Sequence, residues 1–118
     1  MILVEEKRKQ RFQFLNLVYE HTDGNEDELV NMYELGEALN WGRDTPYLVC
    51  QYLRGEYLIE FVTHGGDISI THRGVVEIEK ALTQPEEATN YFPPVINIIG
   101  DYVQGDKVNG DKVGGDKI

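Results

Sequence analysis

The side chains that most often carry catalysis or hold metal ions are few in this chain of 118 residues. They are three histidines and one cysteine, namely His21, His64, His72 and Cys50. No two of the histidines have the i, i+4 spacing of a helical zinc site. Cys50 would need a histidine beside it in the fold to act as a nucleophile, and a lone helical cysteine is more often a packing residue. The sequence therefore predicts neither an enzyme nor a metal or cofactor site.

A second group of residues has the chemistry of recognition rather than of catalysis. A helix is predicted from Asp44, its candidate N-cap, to about Arg54, and Gly55 ends it. At about 100° per residue, one side of this helix carries polar and aromatic residues, which are Arg43, Tyr47, Gln51 and Arg54. The other side carries the predicted core residues Leu48, Val49, Tyr52 and Leu53, with Cys50 at the edge. The outward side is the candidate binding face.

Two earlier helices are predicted to support this face. The first runs from Leu3 to about His21, with one buried stripe formed by Phe12, Leu15, Val18 and Tyr19. The second starts at Asn31, which forms a capping-box pattern with Glu34, and ends at Asn40-Trp41-Gly42. The start of the first helix is basic, and we interpret it as a solvated helix end comprising Lys7, Arg8, Lys9 and Arg11.

A hairpin and a fourth helix are predicted to follow. Residues 57–63 and 68–71 are rich in strand-forming side chains and flank the turn His64-Gly65-Gly66-Asp67. Thr71 suits an N-cap, and the helix after it has a buried side comprising Val75, Ile78 and Leu82. This helix should end near Thr83, which gives a globular domain over residues 1–83.

Charge and composition restrict the class of partner. The net charge is −10, so nucleic acid is repelled at long range and any contact with it would depend on a local basic face. No apolar run approaches the roughly 20 residues of a membrane span, and the apolar start over residues 1–4 is too short for a signal peptide. The single cysteine fits a reducing compartment. We expect a cytoplasmic protein without a membrane partner.

The last third of the chain changes in character. Residues 84–94 are polar and contain prolines, which predicts a linker with two aromatic anchors, Tyr91 and Phe92. Residues 95–99 are rich in β-branched side chains, which predicts a strand leading into a repeat. The apolar positions of the repeat recur every five residues, at Ile98, Val103, Val108, Val113 and Ile118. Residues 95–118 are therefore assigned as a β-rich assembly segment.

A period of five matches neither a helix nor a flat strand. If the chain bends at each Gly-Asp pair, all five apolar residues can point inward in a coiled β-structure. A single coil would leave backbone groups unpaired above and below it, so copies from several chains would have to complete it. The repeat thus predicts a homo-oligomer, with a trimer preferred. The alternatives are a flexible low-complexity tail and, less favoured, a calcium-binding repeat, whose known pattern has about nine residues.

The order of elements over residues 5–83 resembles the winged helix-turn-helix family. The specific pieces are the corner Asn40-Trp41-Gly42-Arg43, the hairpin over residues 57–70 as the wing, and the step Thr71-His72-Arg73-Gly74. The C-terminal repeat is similar to Gly-Asp-Lys repeats of multidomain bacterial signalling and conflict proteins, where assembly is its role by analogy. Together the resemblances imply an α+β fold, a winged helix-turn-helix domain with a C-terminal β-rich pentad-repeat oligomerisation segment.

The winged-helix family usually binds duplex DNA, with the third helix in the major groove and the wing against the backbone. By position, the groove face would comprise Arg43, Tyr47, Gln51 and Arg54, with His64 at the wing tip. Arginine can bind guanine edges or phosphates, and glutamine can bind adenine. The wing tip has no lysine or arginine, and winged helices also bind proteins. The expected function is a non-enzymatic, homo-oligomeric DNA-binding module; the alternative is a protein-binding adaptor of a bacterial signalling or defence system that does not bind DNA.

Overall fold

The computed structural model of this protein describes residues 3–98, which form an α+β fold. In chain order the elements are α1 (Val4–Thr22), β1 (Val30–Asn31), α2 (Met32–Ala38), α3 (Asp44–Gly55), β2 (Ile59–Phe61), β3 (Asp67–Ile70) and α4 (His72–Thr83). The three strands make one antiparallel sheet in the order β1-β3-β2. A further helical stretch covers residues 96–98. The arrangement is compatible with a winged-helix-like fold.

Helix α1 is the centre of the core. Its bounds agree with the prediction, but the helix is buried over much of its circumference rather than along one stripe. The buried apolar residues are Phe12, Phe14, Leu15, Leu17 and Val18, and Tyr19 is half-buried. Helix α1 needs this wide apolar surface because it contacts α2, α3, α4 and the sheet.

Helices α2 and α3 meet at a close corner. The Oδ1 atom of Asn31 accepts hydrogen bonds from the amides of Tyr33 and Glu34 at 3.0 and 3.3 Å, which confirms the predicted cap of α2. A Cβ atom placed on Gly36 would lie 2.2 Å from Cγ of Pro46 in α3. Glycine at this position therefore permits the approach of the two helices.

The inward side of α3 differs from the prediction. Its buried residues are Pro46, Val49, Cys50 and Leu53. Leu48, predicted in the core, is 61% exposed, whereas Cys50, predicted at the edge, is fully buried. The thiol of Cys50 packs here as a small apolar group, so the buried side of α3 includes Cys50 and excludes Leu48. The predicted cap is also wrong, because Asp44 is the first helical residue and Arg43 occupies the N-cap position without a side-chain hydrogen bond.

The predicted hairpin is present, and it has an additional strand that was not predicted. Ile59 pairs with Ile70 and Phe61 with Ile68 across β2 and β3. On the other edge of β3, Val30 pairs with Ile68. A strand of two residues has no periodicity that sequence analysis can detect. Strand β1 joins the start of α2 to the hairpin, so the sheet fixes α2 and the hairpin relative to each other beside the candidate face.

The step between the hairpin and α4 explains the Thr-x-x-Gly pattern. The hydroxyl of Thr71 accepts from the amide of Gly74 at 2.9 Å and donates to the carbonyl of Tyr57 at 2.6 Å, so the predicted N-cap is confirmed. A Cβ atom on Gly74 would lie 2.2 Å from the carbonyl oxygen of Leu58. The first turn of α4 can thus pack directly on the chain before β2 only with glycine at this position.

The packed domain extends beyond the boundary predicted at residue 83. Residues 84–98, here called the return segment, fold back onto α1 and α4. Their buried side chains are Tyr91, Phe92, Val95 and Ile98. The ring of Phe92 packs edge-on against Phe12 with centroids 5.7 Å apart, and Arg8 donates to the carbonyl oxygens of Thr89 and Asn90 at 3.1 and 3.4 Å. The two predicted aromatic anchors therefore belong to the core.

The start of the predicted assembly segment also differs from expectation. Residues 96–98 are helical, whereas a strand was predicted there. Ile98, the first residue of the predicted oligomerisation series, is buried against the core of its own domain. The other members of the series, Val103, Val108, Val113 and Ile118, lie outside the described residues.

Candidate binding face around helix α3

The structure places the predicted binding residues on one exposed surface. Arg43, Tyr47, Gln51 and Arg54 all lie on the outward side of α3 or its N-cap, as predicted. Within this surface, Nε2 of Gln51 donates to the hydroxyl of Tyr47 at 3.2 Å. His64 is exposed in the hairpin turn and faces the same depression as Tyr47 and Arg54. The five residues are thus brought together by α3 and the hairpin.

The depression between α3 and the hairpin, here called the hairpin cleft, has a volume of about 510 Å³. Its walls are largely aromatic, with Tyr33 from α2, Tyr47 from α3 and Phe61 from β2. The rings of Tyr47 and Phe61 have centroids 6.3 Å apart. Tyr33 and Phe61 were not predicted as site residues, because only the tertiary packing of α2 and β2 against α3 brings them to this face.

Three arginines near α3 are each stacked on an aromatic ring. The guanidinium carbon of Arg43 lies 4.3 Å from the ring centroid of Tyr33, and that of Arg54 lies 4.5 Å from that of Phe61. Arg11 of α1 lies 3.5 Å above the ring of Tyr52. Stacking restricts the guanidinium plane while its N–H edges stay available for an external acceptor. Each of the three guanidinium groups is therefore restrained by an aromatic ring.

A second depression, the α1–α3 groove, has a volume of about 440 Å³. Its lining residues are Lys7, Gln10 and Arg11 of α1 and Thr45, Leu48 and Val49 of α3. The basic start of α1, interpreted from the sequence as a solvated end, therefore borders the candidate face. Sequence spacing does not connect residues 7–11 with residues 45–49, since only tertiary packing brings the two helices together.

Charge is strongly segregated around α3, as the linings of three depressions show. The third, here called the α2–α3 depression, lies between the hairpin cleft and the α1–α3 groove and has a volume of about 480 Å³. Its lining residues are Tyr33, Arg43, Asp44, Tyr47 and Leu48. Together the three depressions are lined by four of the eight lysines and arginines within residues 3–98 but by one of the seventeen carboxylates, Asp44. The four cations, Lys7, Arg11, Arg43 and Arg54, are called the basic face below.

The elements on either side of this face contain carboxylates and no lysine or arginine. Residues 22–42, the acidic segment, contain six carboxylates and no lysine or arginine. The six are Asp23, Glu26, Asp27, Glu28, Glu34 and Glu37, all exposed. Residues 55–72, which include the hairpin, also contain no lysine or arginine. In the hairpin turn the Asp67 carboxylate accepts hydrogen bonds from Asn31 and Thr63 at 3.1 and 3.0 Å, so it stabilises the turn.

The remaining chemistry-bearing residues lie apart from the basic face. Burial raises the pKa of the Cys50 thiol to about 12. His72 is on the surface of α4, with Nδ1 3.7 Å from a carboxylate oxygen of Glu26. Within residues 3–98, no three histidine, cysteine or acidic side chains are grouped as they would be to hold a metal ion. The site that the structure does assemble is one of arginines, aromatic rings and hydrogen-bond donors.

Comparisons of the chain with protein-family models, with curated proteins and with solved structures found no match. None of the helices in the described part of the chain is long and apolar enough to cross a membrane. The function is therefore inferred from the geometry of the basic face.

Proposed function

We propose that this protein is a winged helix-turn-helix module that binds duplex DNA through the basic face, and that its C-terminal repeat holds several copies together. The observation that carries the proposal is the charge segregation around α3. Carboxylates outnumber lysines and arginines about two to one within residues 3–98, yet the lining of the three depressions has four cations and one carboxylate. A local field of this sign attracts phosphate despite the net negative charge.

The side chains on α3 suit the major groove, which is about 12 Å wide and admits one helix. Arg54 and Arg43 are the candidates for bidentate bonds to guanine or for phosphate contacts, and Gln51 is the candidate for adenine. Tyr47 and Leu48 present apolar surface that fits a thymine methyl group. Phosphate contacts supply affinity, whereas these base contacts would supply sequence preference.

The repeat would contribute through multivalency. Several copies held together raise the effective concentration of the second and later contacts, so a weak single site becomes useful. The return segment is anchored at Arg8 and Phe12, each about 100° around α1 from its neighbour in the basic face, Lys7 and Arg11 respectively.

The DNA-binding proposal is tested by fluorescence anisotropy with labelled duplexes of about 30 base pairs and mixed sequence, between about 50 and 200 mM salt. The Arg43→Ala/Arg54→Ala variant should bind at least about 50-fold more weakly, and the slope of log K against log salt should fall by about two. The matched control is Lys9→Ala/Lys80→Ala, which removes two positive charges elsewhere. Absence of binding at low salt, or an equal loss in the control, would contradict the proposal.

The assembly proposal is tested by light scattering on the full chain and on a chain ending at Ile98. A truncation after Asn90 is unsuitable because it removes four buried side chains, those of Tyr91, Phe92, Val95 and Ile98. We expect an oligomer for the full chain and a monomer for residues 1–98. A monomeric full chain at all concentrations would contradict assembly.

A second candidate function, a protein-binding adaptor, is favoured by one observation. Leu48 is 61% exposed and Tyr47 is 41% exposed on the same outward side of α3, beside the aromatic hairpin cleft. Exposed aromatic and aliphatic side chains next to arginines are typical of protein interfaces. This candidate predicts no duplex binding at low salt, together with a protein partner that the full chain captures and the Leu48→Asp variant does not.

A further inference from the structure

The surfaces on which a winged helix normally receives the DNA backbone are unsuited to phosphate in this chain. The acidic segment includes Glu34 and Glu37 on the exposed surface of α2, and the hairpin has no lysine or arginine. A phosphate brought against α2 would meet two carboxylates at short range, where repulsion is least screened. If α3 enters a groove of DNA, the flanking backbone must be held by another surface.

The α1–α3 groove has the chemistry that such a contact requires. Lys7, Gln10 and Arg11 follow the i, i+3, i+4 pattern and so share one side of α1. Thr45 contributes a hydroxyl group from the opposite wall. All four side chains can donate hydrogen bonds, and the lining includes no carboxylate. Phosphate oxygens accept from such donors, and the bonds are strongest when the donor is charged.

The groove is also continuous with the rest of the basic face. Leu48 lines both the α1–α3 groove and the α2–α3 depression, and Tyr47 lines both the α2–α3 depression and the hairpin cleft. A path therefore crosses α3 from Lys7 and Arg11, past Arg43, to Arg54. Cations that recur along a path fit a ligand whose negative charges recur, such as a nucleic-acid backbone, better than a single small anion.

We propose that the α1–α3 groove is the phosphate-backbone contact of this domain, and that Lys7, Gln10 and Arg11 serve there in place of α2 and the wing. This inference rests on the proposed DNA-binding function. It adds that the duplex is displaced toward the N-terminal part of α1 and away from the acidic segment.

The first experiment compares Lys7→Gln with Lys9→Gln in the anisotropy assay, using the full chain. Both changes remove one charge from the same helix, but the two side chains lie about 200° apart around its axis. Lys7→Gln should weaken binding about three- to tenfold and lower the salt slope by about one. Lys9→Gln should stay within about twofold. Equal effects of the two variants, with DNA binding intact, would overturn the inference while the proposed function stands.

A second experiment locates the DNA directly. Because Cys50 is buried, a cysteine introduced at the surface can be labelled selectively with a thiol-linked photocrosslinker. Label at Gln10→Cys should crosslink to bound duplex, and label at Glu37→Cys on α2 should not. Crosslinking from position 37 but not from position 10 would place the backbone on α2 and overturn the inference. If the full chain binds no duplex at low salt, the proposed function itself fails.

Discussion

The acidic segment and the basic face lie side by side and share the α2–α3 corner, yet they have opposite charge. The first has six carboxylates and no cation over residues 22–42, and the second has four cations beside one carboxylate. Helices α2 and α3 meet beneath these surfaces at Gly36 and Pro46, where a single added Cβ atom would not fit. The net charge of −10 therefore describes neither surface. The local charge of each surface decides whether a polyanion can approach it.

If the proposed function holds, this division of charge would orient the DNA. A polyanion would be attracted to one side of the α2–α3 unit and repelled from the other, so wrong docking would be disfavoured electrostatically before any contact forms. The acidic segment would then contribute specificity of orientation rather than affinity. This interpretation can be tested by changing each region and the joint between them.

The largest effect on stability is expected at the α2–α3 corner. Replacing Gly36 by alanine gains helix propensity of about 1 kcal/mol, but the new Cβ would lie 2.2 Å from Cγ of Pro46, and overpacking typically costs about 1–3 kcal/mol. We expect Gly36→Ala to lower the free energy of unfolding by up to about 2 kcal/mol net, measured by urea denaturation. Gly42→Ala is the matched control, since nothing lies within 4 Å of its Cβ position. Because only Gly36 is in a helix, a Gly36→Ala protein that is more stable than Gly42→Ala would show that the corner relaxes without cost.

A smaller effect is expected from reversing the sign of the acidic segment. Glu34→Lys/Glu37→Lys should raise duplex affinity about tenfold at low salt and steepen the salt slope, because repulsion next to α3 becomes attraction. Glu86→Lys/Glu87→Lys, which changes the same charge on the exposed part of the return segment, should raise the affinity about threefold or less. Anisotropy titrations measure both. If the two variants gain equally, only net charge matters and the local comparison fails.

Local signals in the sequence were sufficient for the caps of α2 and α4 and for the outward side of α3. Asn31 and Thr71 were predicted as caps because their side chains satisfy amides two or three residues away, and the structure confirms both. The outward side of α3 was predicted because Arg43, Tyr47 and Arg54 share one side of a helix. These features depend on interactions within a few residues, which a single sequence encodes directly.

The features that the sequence did not predict depend on packing between segments that are distant along the chain. Lys7 and Arg11 join the basic face only because α1 packs against α3, and Phe92 enters the core only because the return segment reaches Phe12. A proline-marked stretch is typical of solvated chain, so local composition favoured the wrong environment for Phe92, and the basic run carries no local signal of the groove that it borders. The sheet pairing of β1 was missed for the same reason.

A dependence of stability on pH is predicted for the inner side of α3, which stays uncharged while its outer side is basic. Burial raises the pKa of Cys50 from 9.0 to about 12, so the folded state holds the thiol proton more tightly than the unfolded state does. The resulting stabilisation is fully present below the unfolded pKa of about 9, and it is lost as the pH rises toward 12. The free energy of unfolding of the native chain should therefore fall more steeply above about pH 9 than that of Cys50→Ala.

Tyr19, whose pKa is raised by its hydrogen bond to Glu79 and by burial, adds a decline in the same direction to both proteins, so the difference between their pH profiles isolates the thiol. Identical profiles, or rapid alkylation of Cys50 in the folded protein at neutral pH, would place this side of α3 in contact with solvent.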